Sequence, residues 1–325
     1  MATRIAAAAL IPALTVLASV EARAATPTCA DWKPNLVNEL LCNLKLMGPP
    51  ASTPTPPPPP PPPDPIPVDP VGCGAPVLKS DGTAWICTFF DNFAGGSLDR
   101  GKWVPQTNFV NGSDSVYACY IDDPAVVSVS DGYLQLSVKK MPQPVAGCPS
   151  NRAGSPYAAG QVSTFALFSQ QYGRFEARIK VPSASAPGLQ EAFWLWPDVR
   201  YHSTATWPLS GEIDIVETYS QHPQLAIPFF HYSADLLGPQ PGVNTAWNCL
   251  ASRGEWNTYT LEWTANRLEV LVNGQSCLVN TSNDPAFDKR YIIALTQALG
   301  TGANAYGGSG MLPATTLVDY VRVWR

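Results

Sequence analysis

The chain reads as an all-β sandwich or jelly roll. Short runs in which apolar and polar residues alternate carry that reading, together with the Gly, Pro, Asn and Ser that separate them. From about residue 71 onward, no apolar repeat of helical period and useful length occurs. Successive side chains of a strand point to opposite faces, so each alternating run predicts a strand with one face toward a core. Leu134, Leu136 and Val138 alternate with Gln135, Ser137 and Lys139. Phe175, Ala177, Ile179 and Val181 alternate with Arg174, Glu176, Arg178 and Lys180. Tyr259, Leu261 and Trp263 alternate with Thr258, Thr260 and Glu262. Leu268, Val270 and Val272 run into Asn273-Gly274, a strong hairpin signal. Leu317 to Trp324 repeats the theme at the C-terminus.

The segments before this domain differ in texture. Arg4, the apolar run Ile5 to Val20 and the small-x-small pattern Ala22-Arg23-Ala24 predict a signal peptide over residues 1–24. The run is short for a membrane span and Pro12 interrupts it. Residues 25–48 form a short segment with leucines at 36, 40, 41 and 44, a helical spacing to which no role attaches. Residues 49–70 are proline-rich, with Pro56 to Pro63 unbroken. Such a tract adopts polyproline II and acts as a stiff spacer of ~3.1 Å per residue. Residues 71–325 then form the principal domain. The chain is expected to be secreted and extracellular, and free of the membrane once the leader is cleaved.

Composition narrows the function classes. The formal net charge of -5 and the lack of any basic run exclude binding to nucleic acid by charge alone. Eight cysteines fit disulfides in an oxidising compartment. The simplest connectivity pairs sequence neighbours: Cys29 with Cys42, Cys73 with Cys87, Cys119 with Cys148, and Cys249 with Cys277. None lies in a CxxC pair, and three histidines leave little for a zinc site.

The candidate chemistry sits in Gly211-Glu212-Ile213-Asp214-Ile215-Val216-Glu217. Strict alternation puts Glu212 and Asp214 on one face, but it would bury Glu217 and expose Val216. An unpaired buried carboxylate is expensive. A β-bulge between Asp214 and Glu217 resolves the conflict by inserting one residue and re-aiming the next. All three acids then share a face. Two carboxylates able to approach to ~5–5.5 Å suit a retaining glycosidase, one as nucleophile and one as acid/base. Trp194 and Trp196 lie on the strand predicted to neighbour theirs, Trp207-Pro208 precedes the acids, and His231 follows after one connection. Rings beside paired acids are what a sugar cleft needs.

These pieces, in order, resemble glycoside hydrolase family 16 in its laminarinase-like (endo-1,3-β-glucanase) branch. The resemblance runs over nearly all of residues 88–325. It rests on Phe89-Phe90-Asp91-Asn92-Phe93 with Leu98-Asp99 and Lys102-Trp103, Asp131-Gly132-Tyr133-Leu134, Gly160-Gln161-Val162-Ser163, Tyr172 to Arg178, Phe193-Trp194, Gly211 to Glu217, and Val318 to Val323. It implies a β-jelly-roll with an open substrate cleft. It carries the nucleophile onto Glu212, the assisting acid onto Asp214 and the acid/base onto Glu217. It places substrate contacts at Trp194, Trp207 and His231. It implies no required cofactor, with a structural calcium near Gly132 and Asp319. The implied partner is a polysaccharide, taken by a monomer. The bulged acid motif points toward laminarinase-like or galactan-cleaving members. β-1,3-Glucan hydrolysis is the leading expectation, with galactan hydrolysis, β-glucan transglycosylation or a non-catalytic glycan-binding sandwich as alternatives. Three stretches depart from the family pattern and are expected at the cleft edge: Leu189 to Ala192, Thr296 to Thr301, and Asn257.

Overall fold

The computed structural model describes residues 72–148, 154–233 and 238–325. The leader, the 25–48 segment, the proline tract and the Cys29–Cys42 pairing lie outside the described residues. Within them the chain forms β1 (Cys87–Asp91), β2 (Val104–Pro105), β3 (Val110–Gly112), β4 (Tyr117–Tyr120), β5 (Val127–Ser130) and β6 (Tyr133–Val145). There follow β7 (Ser155–Ala159), β8 (Gln161–Ser163), β9 (Gly173–Lys180), β10 (Leu189–Pro197), β11 (Glu212–Tyr219) and β12 (Leu225–His231). Last come β13 (Cys249–Leu250), β14 (Asn257–Thr264), β15 (Arg267–Val272), β16 (Gln275–Asn280), β17 (Tyr291–Leu299) and β18 (Ala314–Trp324).

These strands make two sheets. The larger has the order β16-β15-β14-β9-β18-β6-β7-β4-β3, with β1 beside β18 and β5 beside β6. The smaller has the order β13-β12-β11-β10-β17-β8-β2. The alternating runs supply the interface between the sheets. Leu134, Leu136, Phe175, Ala177, Leu261 and Trp263 from the larger sheet are fully buried and join one core with Phe193, Leu195, Ile213, Ile215 and Leu295 from the smaller. Asn273 and Gly274 both take positive φ and close the β15–β16 hairpin, as that dipeptide does.

Alternation fails in one predicted strand. In β18 the inward residues are Val318, then Val321 and Val323. A register shift between Val318 and Tyr320 inserts the extra residue. The core thus keeps its valines although the sequence period breaks.

The three disulfides within the described residues are Cys73–Cys87, Cys119–Cys148 and Cys249–Cys277, the neighbour pairing. Among the described residues, no helix is long and apolar enough to cross a membrane.

Candidate active site

β11 is the third strand of the smaller sheet, flanked by β10 and β12. Its entry is set by Gly211, whose φ is 88°. A Cβ there would lie 2.0 Å from the Tyr291 hydroxyl and 2.8 Å from the Ala286 carbonyl oxygen, so only glycine fits. The predicted bulge is present. Against β12, Asp214 pairs with Phe229 and Glu217 with Ile227, with a register shift between them. Against β10, Trp194 pairs with Asp214, but the adjacent Phe193 pairs with Val216. Ile215 is the residue left over. It and Val216 both enter the core, while Glu217 turns back to the face that carries Glu212 and Asp214.

Each carboxylate has its own support. Trp207 Nε1 donates to Glu212 Oε2 at 2.8 Å. His231 Nε2 lies 3.1 Å from Asp214 Oδ2. Gln190 Nε2, on β10, donates to Glu217 Oε1 at 2.6 Å, and the Tyr219 hydroxyl also bonds Glu217. The His231 ring lies between Phe229, at 4.1 Å, and Trp207, at 5.2 Å between centroids.

Burial dominates the electrostatics. It pushes Glu212 up to about 8, helped by the negative charge of Asp214 and opposed by His231 and the Trp207 indole. Burial and then the Glu217 charge push Asp214 well above the usual carboxylate range. Burial also raises Glu217, while Tyr219, His231 and Gln190 pull it back. All three carboxyls are pushed upward by burial and by one another, so they resist ionising together, and the site can hold a carboxylate beside a carboxylic acid.

The face around them is aromatic. Trp194, Trp196, Ile292 and Ala294 form a cluster with Phe165, Val199 and Trp207 that is separate from the main core. Trp194 Nε1 donates to Thr296 Oγ1 at 3.0 Å, so Trp194 is tied to β17 rather than to an acid. Trp207 and His231 both contact the acid group directly, and His231 serves Asp214 rather than Glu217.

Among the described residues, Glu212, Asp214 and His231 form the one His/Cys/Asp/Glu group whose donor atoms converge, within 4.8 Å. Asp214 faces His231 Nε2, and Glu212 accepts an indole N–H from Trp207, while His231 Nδ1 is buried without a hydrogen-bond partner. The calcium expectation meets a poorer donor set. Asp319 Oδ2 accepts from Arg178 Nη1 at 2.7 Å. Gly132 sits in the turn between β5 and β6 with positive φ. One carboxylate already neutralised by arginine does not fit a cation that wants 6–8 oxygen ligands.

Sequence reasoning missed Gln190 and Tyr219 as partners of Glu217. Both follow from period 2, Gln190 sharing a face with Trp194 and Tyr219 lying two past Glu217. Of the departures expected at the cleft edge, Gln190 and Thr296 do reach this face. Asn257 does not. Its amide donates to the Ser252 and Glu255 carbonyls and accepts from Asn273, stitching the larger sheet to the β15–β16 turn.

A two-sheet sandwich with three clustered carboxyls and a tryptophan-lined face defines a carbohydrate-processing class of β protein. The family model described as Glycosyl hydrolases family 16 matches residues 114–309, and the chain belongs to that family. It is 32% identical over 190 residues to a beta-glucanase of Rhodothermus marinus, covering 53% of this chain and 64% of that protein. It is 26% identical over 263 residues to a glucan endo-1,3-beta-glucosidase of Cryptopygus antarcticus, covering 74% and 92%. The solved laminarinase structure from Rhodothermus marinus superposes with a TM-score of 0.60 at 25% identity, covering 74% of this chain and 97% of that one. The chain thus spans under two thirds of the Rhodothermus beta-glucanase.

Proposed function

We propose that the chain is a secreted, retaining endo-hydrolase of β-1,3-linked glucan. The observation that carries the reading is the bulge at Ile215, which turns Glu217 onto the face of Glu212 and Asp214. Family membership and the glucanase names of the relatives support the substrate class.

In this reading Glu212 attacks the anomeric carbon while Glu217 gives its proton to the departing glycosidic oxygen. A covalent glycosyl-enzyme forms and the leaving sugar departs. Glu217, now ionised, takes a proton from water, which attacks the same carbon and releases Glu212. The Trp207 indole N–H stabilises the ionised form of Glu212, the form that attacks. The Asp214–His231 pair holds the middle of the strand, keeping a second negative charge from pressing fully on the nucleophile. Trp207, the partly exposed tryptophan of the aromatic face, stacks on the apolar face of a sugar, with Trp194 and Trp196 buried beneath it.

Reducing-sugar release from laminarin, lichenan, agarose, carrageenan and xyloglucan tests the substrate. Laminarin should be cleaved fastest, with internal cuts. Preferred cleavage of agarose or carrageenan would transfer the reading to a galactan hydrolase. Glu212→Ala and Glu217→Ala should each lower turnover by ~10²- to 10⁴-fold. Turnover unchanged in either would remove that residue from the mechanism.

A further inference from the structure

On the core side of the smaller sheet, behind the acids, lies an ion pair that the chemistry above does not use. Glu191 on β10 is 3% exposed, and Arg253, in the loop after β13, is 7% exposed. Arg253 grips the carboxylate with both terminal nitrogens, Nη1 at 2.6 Å and Nη2 at 2.9 Å. The same carboxylate accepts Thr218 Oγ1 at 2.6 Å and Gln297 Nε2 at 3.0 Å. Thr316 Oγ1 then donates to Gln297 Oε1 at 2.7 Å. One carboxylate thereby links β10, β11, β17 and, through Gln297, β18.

Such a pair is a poor source of stability. Taking both charges out of water is costly, and apolar residues of the same volume often serve as well. Arg253 Nε even remains buried without a partner. Its location suggests another use. Glu191 is the register partner of Thr218, and Ala192 is that of Glu217. Thr218 is the first residue past the bulge to point into the core, and it shares a peptide unit with Glu217. A bulge disrupts the ladder and frees the local backbone to twist. The direction of Glu217 is therefore weakly held by pairing on its N-terminal side. The bond from Thr218 to the clamped Glu191 holds it from behind.

We propose that Glu191, Arg253 and Thr218 are positioning residues for Glu217, fixing the acid/base from the opposite face of its own strand. The proposal rests on the reading of Glu217 as acid/base. A misplacement of about 1 Å can cost ~10²-fold in rate, so loss of this anchor should be visible in kcat.

The test compares two substrates in the full-length enzyme. Laminarin has a poor leaving group and needs proton donation. A 2,4-dinitrophenyl β-glucoside or its β-1,3-oligosaccharide homologue does not. Thr218→Val removes the hydroxyl at nearly constant shape. It should lower kcat on laminarin by about tenfold or more with little change in KM, and leave kcat/KM for the aryl glycoside within about twofold. Thr218→Ser should restore laminarin turnover. Arg253→Lys, which keeps the charge and loses the two-pronged grip, should show the same split in milder form. Equal losses on both substrates, or no loss on either, in folded Thr218→Val would overturn the proposal. Should Thr218→Val fail to fold, the same outcomes are read from Arg253→Lys. Glu217→Ala is the reference. It is read in kcat/KM, which reports glycosylation, because its kcat on the aryl glycoside falls when the general base for water is lost. If its kcat/KM does not itself spare the aryl glycoside, the acid/base reading fails rather than the positioning one.

Discussion

Glu212 bears part of the electrostatic cost of the site. Its ordinary value is 4.5, and the folded chain holds the proton up to about 8. Between those values the folded state binds more protons than the unfolded one, so stability falls as pH rises through the window. Replacing Glu212 by Gln removes that loss. Wild type and Glu212→Gln should melt at similar temperatures near pH 4.5, and the variant should melt higher at pH 8. A lower melting temperature for the variant at pH 8 would contradict the burial argument. The Trp207 indole works the other way, stabilising the ionised form. Trp207→Phe should therefore move the acid limb of the kcat/KM profile to higher pH. A hydrogen bond to a charged group is worth ~1.5–3 kcal/mol, which corresponds to a shift of about one to two pH units. An unmoved limb would show that another group controls it.

The bulge is the decisive feature of the element that carries the acids. Ile215 has no register partner on either flanking strand, whereas Asp214 and Glu217 have partners on both. Removing Ile215 should restore strict alternation: Ile213 in, Asp214 out, Val216 in, Glu217 out. That deletion forfeits one fully buried side chain, about 1.5–3 kcal/mol. It should nonetheless keep the acids in phase and leave activity well above that of Glu217→Ala. Removing Ile213 instead puts Asp214 where an inward residue belongs and should abolish activity. Reducing-sugar release from the two deletions decides the matter; equal inactivity would mean that the bulge sets more than phase.

At the scale of the molecule, the sandwich is closed by pairs that sequence neighbours supply. Cys249 lies on β13, an edge strand of the smaller sheet, and Cys277 on β16, an edge strand of the larger. The bridge joins the two sheets at one side and closes a separation of 28 residues. A loop of that length is worth roughly 3–4 kcal/mol in chain entropy. The Cys249→Ala, Cys277→Ala double variant should lose that amount of unfolding free energy, read as a lower midpoint in denaturant. Its turnover at 25 °C should hold, because neither sulfur touches the acid face. A drop in turnover without loss of stability would place the bridge in the site.

Much of this was legible in residue order. Alternation identified β6, β9, β14 and β15, Asn273-Gly274 identified the turn from β15 into β16, and the spacing of Glu212, Asp214 and Glu217 required a bulge. These are local properties, set by the period of a strand and by the cost of burying a charge. The β18 irregularity escaped that reasoning because register shifts answer to the neighbouring strands. The same holds for the partners of the acids. Trp207, His231 and Gln190 reach Glu212, Asp214 and Glu217 from a loop, from β12 and from β10, and Arg253 meets Glu191 from 62 residues away. Chain order by itself determined the fold class, the acid face and the neighbour disulfides. Only the tertiary structure decided which donor serves which carboxylate and what holds β11 from behind. Those contacts join strands distant in sequence, and burial between two closed sheets sets their strength.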